Sequence, residues 1–177
     1  MLGKNRDGEK GKAENKQIFF NRHDSNYCCK FMKNYMTSTV IYEGDLRTVA
    51  RHNASGTIIE TDPPVDNQGK GEKFSPTDLV ATALGSCMLT IMGQKARDLH
   101  IDLKGTRIDI QKHMKADPRR IAGITLTFHL PAGLVLTDKN RIVLQRAADT
   151  CPVFYSIHPE IDVQVNYNWQ TATEKVI

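Results

Sequence analysis

Ser75-Pro76-Thr77-Asp78-Leu79 opens the segment whose reading decides the fold. Serine suits an N-cap, proline the first helical position, and an acid at the third faces the positive end of the helix dipole. From Leu79 to Gln94 the chain carries no charge, and Leu79, Val80, Ala83, Leu84, Met88, Ile91, Met92 and Ala96 recur at helical spacing. The pattern predicts a helix ending near Leu99 or His100, ~36 Å long at 1.5 Å per residue. Its apolar positions wrap so widely that most of it is expected to be buried. The uncharged run is shorter than the ~20 residues a membrane span needs, and it contains Thr, Ser, Gly and Gln.

Outward from this helix the signals are mostly strands. Thr39-Val40-Ile41-Tyr42, Arg47 to Arg51 and Thr57 to Thr61 are β-branched or aromatic stretches, broken by Gly44 and by Asn53-Ala54-Ser55-Gly56. Asp62 to Lys73 reads as a polar loop. Beyond the helix, 106–111 and 124–130 alternate with period two, with Asp117-Pro118 turning between them. Thr137 caps a second helix that ends before Cys151-Pro152, and a short turn runs from Val153 to Ile157. Ile161 to Trp169 alternates again. These elements predict an α+β, two-layer body in which an antiparallel sheet packs on two helices. A helix this apolar, with one sheet and one helix to cover it, leaves a face open, and a two-fold dimer is the expected cover.

The chain has 177 residues and a formal net charge of +4. Residues 1–35 hold eight basic and four acidic side chains, and residues 36–177 hold sixteen of each. The basic excess therefore belongs to an N-terminal extension, 1–35, expected to be poorly ordered. The domain is expected over 36–177, with Met36 able to serve as an alternative start. A neutral body gives no electrostatic case for nucleic acid or an anionic membrane. The extension lacks the apolar run of a secretory signal, so the expected location is the cytoplasm.

There are four cysteines, Cys28, Cys29, Cys87 and Cys151, and no Cys-x-x-Cys pair. Cys28-Cys29 reads as two incidental thiols. None of the histidines (His23, His52, His100, His113, His129, His158) has metal-ligand spacing, and Gly69 to Lys73 lacks phosphate-loop spacing. Cys87 reads either as a small core residue or as a nucleophile among small neighbours, Ala83, Gly85 and Ser86. It lies too deep in its helix for the dipole to act on it, so a reactive Cys87 needs a cation from elsewhere, Arg47 or Arg51. Cys151 stands where it would cap a helix over 153–157, and there the dipole would favour its thiolate.

Phe74-Ser75-Pro76-Thr77-Asp78-Leu79, Ala83-Leu84-Gly85-Ser86-Cys87-Met88, Ala147-Ala148-Asp149-Thr150-Cys151-Pro152-Val153 and His158-Pro159-Glu160-Ile161 together resemble the OsmC/Ohr family of osmotically inducible and organic-hydroperoxide-resistance proteins. The resemblance covers about 38–169 and looks closest to the OsmC-like branch. It implies an OsmC-like fold, an intertwined homodimer with thiol sites at the interface, and thiol-dependent reduction of organic hydroperoxides. On it, Cys87 matches the peroxidatic cysteine, Cys151 the resolving cysteine and Arg47 the arginine that holds the first thiolate, with Arg51 second. The implied reductant is a dihydrolipoyl-type dithiol, and no organic cofactor or metal is implied. Where the family has a glutamate near the helix start, this chain has Thr77; Asp78 beside it is expected to cap the helix. The missing glutamate motivates an alternative: a non-enzymatic OsmC-like protein that senses oxidants or binds a small ligand.

Overall fold

The computed structural model describes residues 36–169, so the expected extension over 1–35, with Cys28 and Cys29, lies outside the described residues. Strands β1 (Ser38–Gly44), β2 (Arg47–His52) and β3 (Ile58–Thr61) form one antiparallel sheet. The β1–β2 turn places Asp45 and Leu46 at φ 48° and 62°, with Gly44 at 87°. Two positive φ values at the turn centre match the twist of a tight hairpin, and the Leu46 amide donates to the Tyr42 hydroxyl at 3.2 Å.

Helix α1 (Pro76–Asp98) begins as the sequence predicts. The Ser75 hydroxyl accepts from the Asp78 amide, and the Asp78 carboxylate accepts from the Ser75 amide. That capping box satisfies two of the donors every helix start leaves orphaned. Strands β4 (Arg107–Lys115) and β5 (Arg120–His129) pair antiparallel, helices α2 (Asp138–Asp149) and α3 (Pro152–Ser156) follow, and β6 (Asp162–Asn168) joins the free side of β5 in parallel.

This α+β arrangement differs from the expected single antiparallel sheet in two respects. The six strands form two sheets of three, and the last pair is parallel. The reason is the connection: a parallel neighbour needs a crossover of a dozen or more residues, and α2 with α3 supplies it. The core lies between β4–β5–β6 and the helices. Leu84, Met88 and Met92 of α1 meet Ile124, Leu126 and Phe128 of β5 and Leu144 of α2, each 0–1% exposed.

Most of α1 was expected to be buried, but only one stripe is: Ala81, Leu84, Gly85, Met88, Met92 and Ala96. Val80, Ala83, Ser86 and Thr90 are exposed. The β1–β2–β3 sheet is more open still. Val40, Ala50 and Ile59 align on one face, and Ile41 beside Val49 on the other. Val40, Ile41, Tyr42, Ile58 and Ile59 are all exposed. Among the described residues no helix is long and apolar enough to cross a membrane.

Two glycines of α1 separate helix propensity from packing. A Cβ on Gly93 meets nothing within 4 Å, whereas one on Gly85 falls 2.7 Å from Ile110 Cδ1 and 3.0 Å from Leu126 Cδ2. Gly93→Ala is expected to stabilise by up to about 1 kcal/mol. Gly85→Leu is expected to destabilise by about 1–3 kcal/mol through overpacking. Denaturant titration of both variants checks the pair.

Candidate functional site: a thiol pair and a buried ion-pair cluster

Cys87 sits roughly 130° around α1 from the core stripe, at 100° per residue. It is half-buried, while Cys151 is fully buried; both are free thiols. Cys151 is the N-cap of α3, which packs on α1. Pro152 at the first helical position fixes that start. The packing brings the two cysteines, 64 positions apart in sequence, near enough for the Cys87 side chain to raise the pKa of Cys151.

The α3 dipole does not win at Cys151. Burial raises its pKa, the contact with Cys87 raises it further, and the amides of Phe154 and Val153 pull the other way without forming a full capping bond. A five-residue helix offers little to offset desolvation, so Cys151 stands at neutral pH as the protonated thiol.

Arg47 stands elsewhere. Its Nη2 donates to Asp62 Oδ2 at 2.9 Å and to Glu72 Oε2 at 2.7 Å. Its Nε is buried without a hydrogen-bond partner among the described residues. Among the described residues of one chain the two thiols lie near each other, and Arg47 makes no hydrogen bond to either. Arg51, the second candidate, is exposed, and its guanidinium lies over Gly56 in the β2–β3 turn.

In the sequence Asp62 is simply part of a polar loop, yet its side chain is 1% exposed. Besides Arg47 it accepts from the amides of Glu72 (3.2 Å) and Lys73 (3.0 Å). Burial works against its ionisation, but the Lys73 amide, Arg47 and the Glu72 amide outweigh it and hold the carboxyl below its usual range. Lys112 was also missed. Its Nζ reaches Thr77 Oγ1 at 2.7 Å, Asp78 Oδ1 at 2.7 Å and Ser75 Oγ at 3.2 Å. A sequence signal for it existed: Lys112 occupies an inward position of β4, in register with Ile108, Ile110 and Met114. Thr77 thus faces a lysine, and Asp78 caps the helix as expected.

A cleft of about 810 Å³ opens between β3, the 72–74 loop, α1 and β4, walled by Ile59, Phe74, Ala81 and Ile110, with Lys112 and Glu72 among its polar groups. Neither cysteine lines it. Among the described residues no group of three His, Cys, Asp or Glu side chains could hold a metal ion.

The family model for OsmC-like protein matches residues 69–166, which contain both cysteines and the helix-start motif. The chain belongs to the OsmC-like family. A crystal structure from Psychrobacter arcticus 273-4, described as an osmotic stress induced and detoxification response protein, is 50% identical. It covers 78% of this chain and 100% of its own, with a TM-score of 0.73. An organic hydroperoxide resistance protein OsmC from Legionella pneumophila shares the fold at 18% identity, covering 76% of this chain and 98% of its own, with a TM-score of 0.61. An organic hydroperoxide resistance protein from Vibrio cholerae, with captopril in one of its active sites, does so at 20% identity. It covers 78% of this chain and 96% of its own, with a TM-score of 0.59. No curated protein matches the chain.

The helix-start cluster of this OsmC-like protein makes a pH prediction. Burial opposes ionisation of Asp78, but Lys112 and Ser75 outweigh it and lower its pKa. The ionised form therefore stabilises the fold above the ordinary carboxylate range, and that contribution is lost as pH falls through the folded value. Asp78→Asn is expected to flatten the acid limb of stability against pH. Ser75→Ala is expected to cost about 1 kcal/mol at neutral pH as well. Urea midpoints measured from pH 7 down to pH 3 check both.

Proposed function

We propose that the protein reduces organic hydroperoxides through Cys87 and Cys151. The observation that carries this reading is that α3, packed on α1, sets a fully buried thiol at its start near a half-exposed thiol on α1, near enough for one to shift the other's ionisation. The Cys87 thiolate attacks the O–O bond and becomes a sulfenic acid, and the alkoxide takes a proton to leave as the alcohol. The Cys151 sulfur then displaces hydroxyl from the sulfenic acid, its proton leaves in the water formed, and a Cys87–Cys151 disulfide results. A dithiol of the dihydrolipoyl type restores both thiols by two exchanges and is itself oxidised to a disulfide. No metal or organic cofactor enters the cycle.

Arg47 holds the thiolate and stabilises negative charge on the departing oxygen. Its side chain is 26% exposed, and both acids bind it through Nη2, so Nη1 is free of carboxylate and supports this role. Arg47 and Cys87 meet across a homodimer interface. A second copy that lays its β1–β2–β3 sheet over the open face of α1 covers both exposed apolar surfaces at once. The names of the Legionella and Vibrio relatives, organic hydroperoxide resistance proteins, support the substrate class.

A second reading, a non-enzymatic redox sensor or small-ligand binder, is favoured by one observation: within one chain Arg47 faces Asp62 and Glu72 and neither sulfur. One equivalent of cumene hydroperoxide separates the two. Mass spectrometry is expected to show rapid loss of two hydrogens with Cys87 joined to Cys151, and steady turnover with dihydrolipoamide. Untouched thiols, or a Cys87→Ser protein as active as wild type, would overturn the enzyme reading. Light scattering at micromolar concentration is expected to give a dimer of the 177-residue chain; a stable monomer would remove the interface.

A further inference from the structure

We infer that Asp62 is a positioning residue for Arg47: its buried carboxylate fixes where the guanidinium points, from outside the thiol site itself. The inference rests on the Arg47 role proposed above and adds the group through which that role is set. Asp62 follows β3 directly, and its side chain is almost wholly enclosed. One oxygen, Oδ2, accepts from Arg47 at 2.9 Å and from the Glu72 amide at 3.2 Å. The other, Oδ1, accepts from the Lys73 amide at 3.0 Å. The carboxylate cannot swing, because a backbone amide of the 62–73 loop holds each of its oxygens while Arg47 shares Oδ2.

The second acid on Arg47 is a different kind of partner. Glu72 is 57% exposed at its side chain, so solvent screens it even though its contact with Arg47, at 2.7 Å, is the shorter of the two. Both acids use Nη2 alone, which leaves Nε and Nη1 free of carboxylate. An arginine anchored through one nitrogen presents its remaining donors in a fixed direction. The helix start cannot do this job. Thr77 has no charge, its hydroxyl is taken by Lys112, and Asp78 is engaged by Lys112 and the capping box. The acid that orients the arginine has moved from the helix to the loop before it.

A buried carboxylate gripping two amides also staples its loop, so a fall in stability alone would not establish positioning. The deciding measurement is a double-mutant cycle on the rate of reaction with cumene hydroperoxide in the full-length protein. Asp62→Asn is expected to slow the reaction about 10–100-fold, the scale of a misplaced catalytic group. In an Arg47→Ala background the same substitution is expected to slow it no further. If Asp62→Asn does not fold, Asp62→Glu enters the same cycle; it keeps the charge, displaces it by one methylene, and is expected to lose a few-fold in rate only when Arg47 is present. An Asp62 variant within twofold of wild type, or one that slows the Arg47→Ala protein by the same factor, overturns the inference. An Arg47→Ala protein with wild-type rate overturns it together with the Arg47 role, and an active Cys87→Ser protein overturns the thiol reading itself.

Discussion

The rest of this structure depends on a helix that buries one stripe and leaves its other side open. Helix α1 spends one stripe, Ala81 to Ala96, on the β4–β5–β6 sheet and α2. The other side carries Val80, Ala83, Ser86 and Cys87, shielded only where α3 crosses. A thiol on the core stripe would be inert, closed off by Leu126 and Phe128. A thiol on a fully solvated face would lack the dry surroundings in which a single cation counts for much. Placement between the two is what the flank of the buried stripe makes available, and Cys87, the proposed nucleophile, lies there half-buried.

The charged groups around the start of α1 sort into two sets with different work. Ser75, Thr77, Asp78 and Lys112 close the helix terminus and tie it to β4. Asp62, Glu72 and Arg47 close the loop before the helix and tie it to β2. The first set is self-contained, with the lysine meeting three oxygens. The second leaves a buried guanidinium nitrogen without a partner. Polar groups enclosed in a fold are nearly always satisfied, so the second set is the less complete of the two.

Local chemistry was legible in the sequence wherever the deciding contact is local. Ser75, Pro76 and Asp78 fix the start of α1 within one turn, and alternation fixes β4, β5 and β6. The Cys151-Pro152 step announces α3, and the two cysteine motifs carry the family. What escaped reading is set by contacts far apart in the chain. Nothing near Asp62 says that the amides of residues ten and eleven positions on will bury it. Nothing in 161–169 says that the strand will join β5 in parallel, because that follows from the length of the α2–α3 crossover. Lys112 lies between these cases: a lysine on the inward phase of an alternating strand signals a buried anion, although the partner itself cannot be named from the strand alone.

The correction at Cys151 shows how a local rule loses to a nonlocal one. Position alone, an N-cap followed by proline, argues for a stabilised thiolate. The dipole of a five-residue helix is small, however, while full burial strips the sulfur of solvent on every side. Desolvation opposes the charged form and wins. For the proposed chemistry this outcome is useful. A thiolate at Cys151 beside the Cys87 sulfur would place two anions in contact and raise the energy of both. A protonated Cys151 leaves the charge to its neighbour, and it carries the proton that joins the sulfenic hydroxyl as water when the disulfide closes. The asymmetry between the sulfurs comes from one being half-exposed on α1 and the other buried at the start of α3, and the order proposed for their reaction follows that difference in burial.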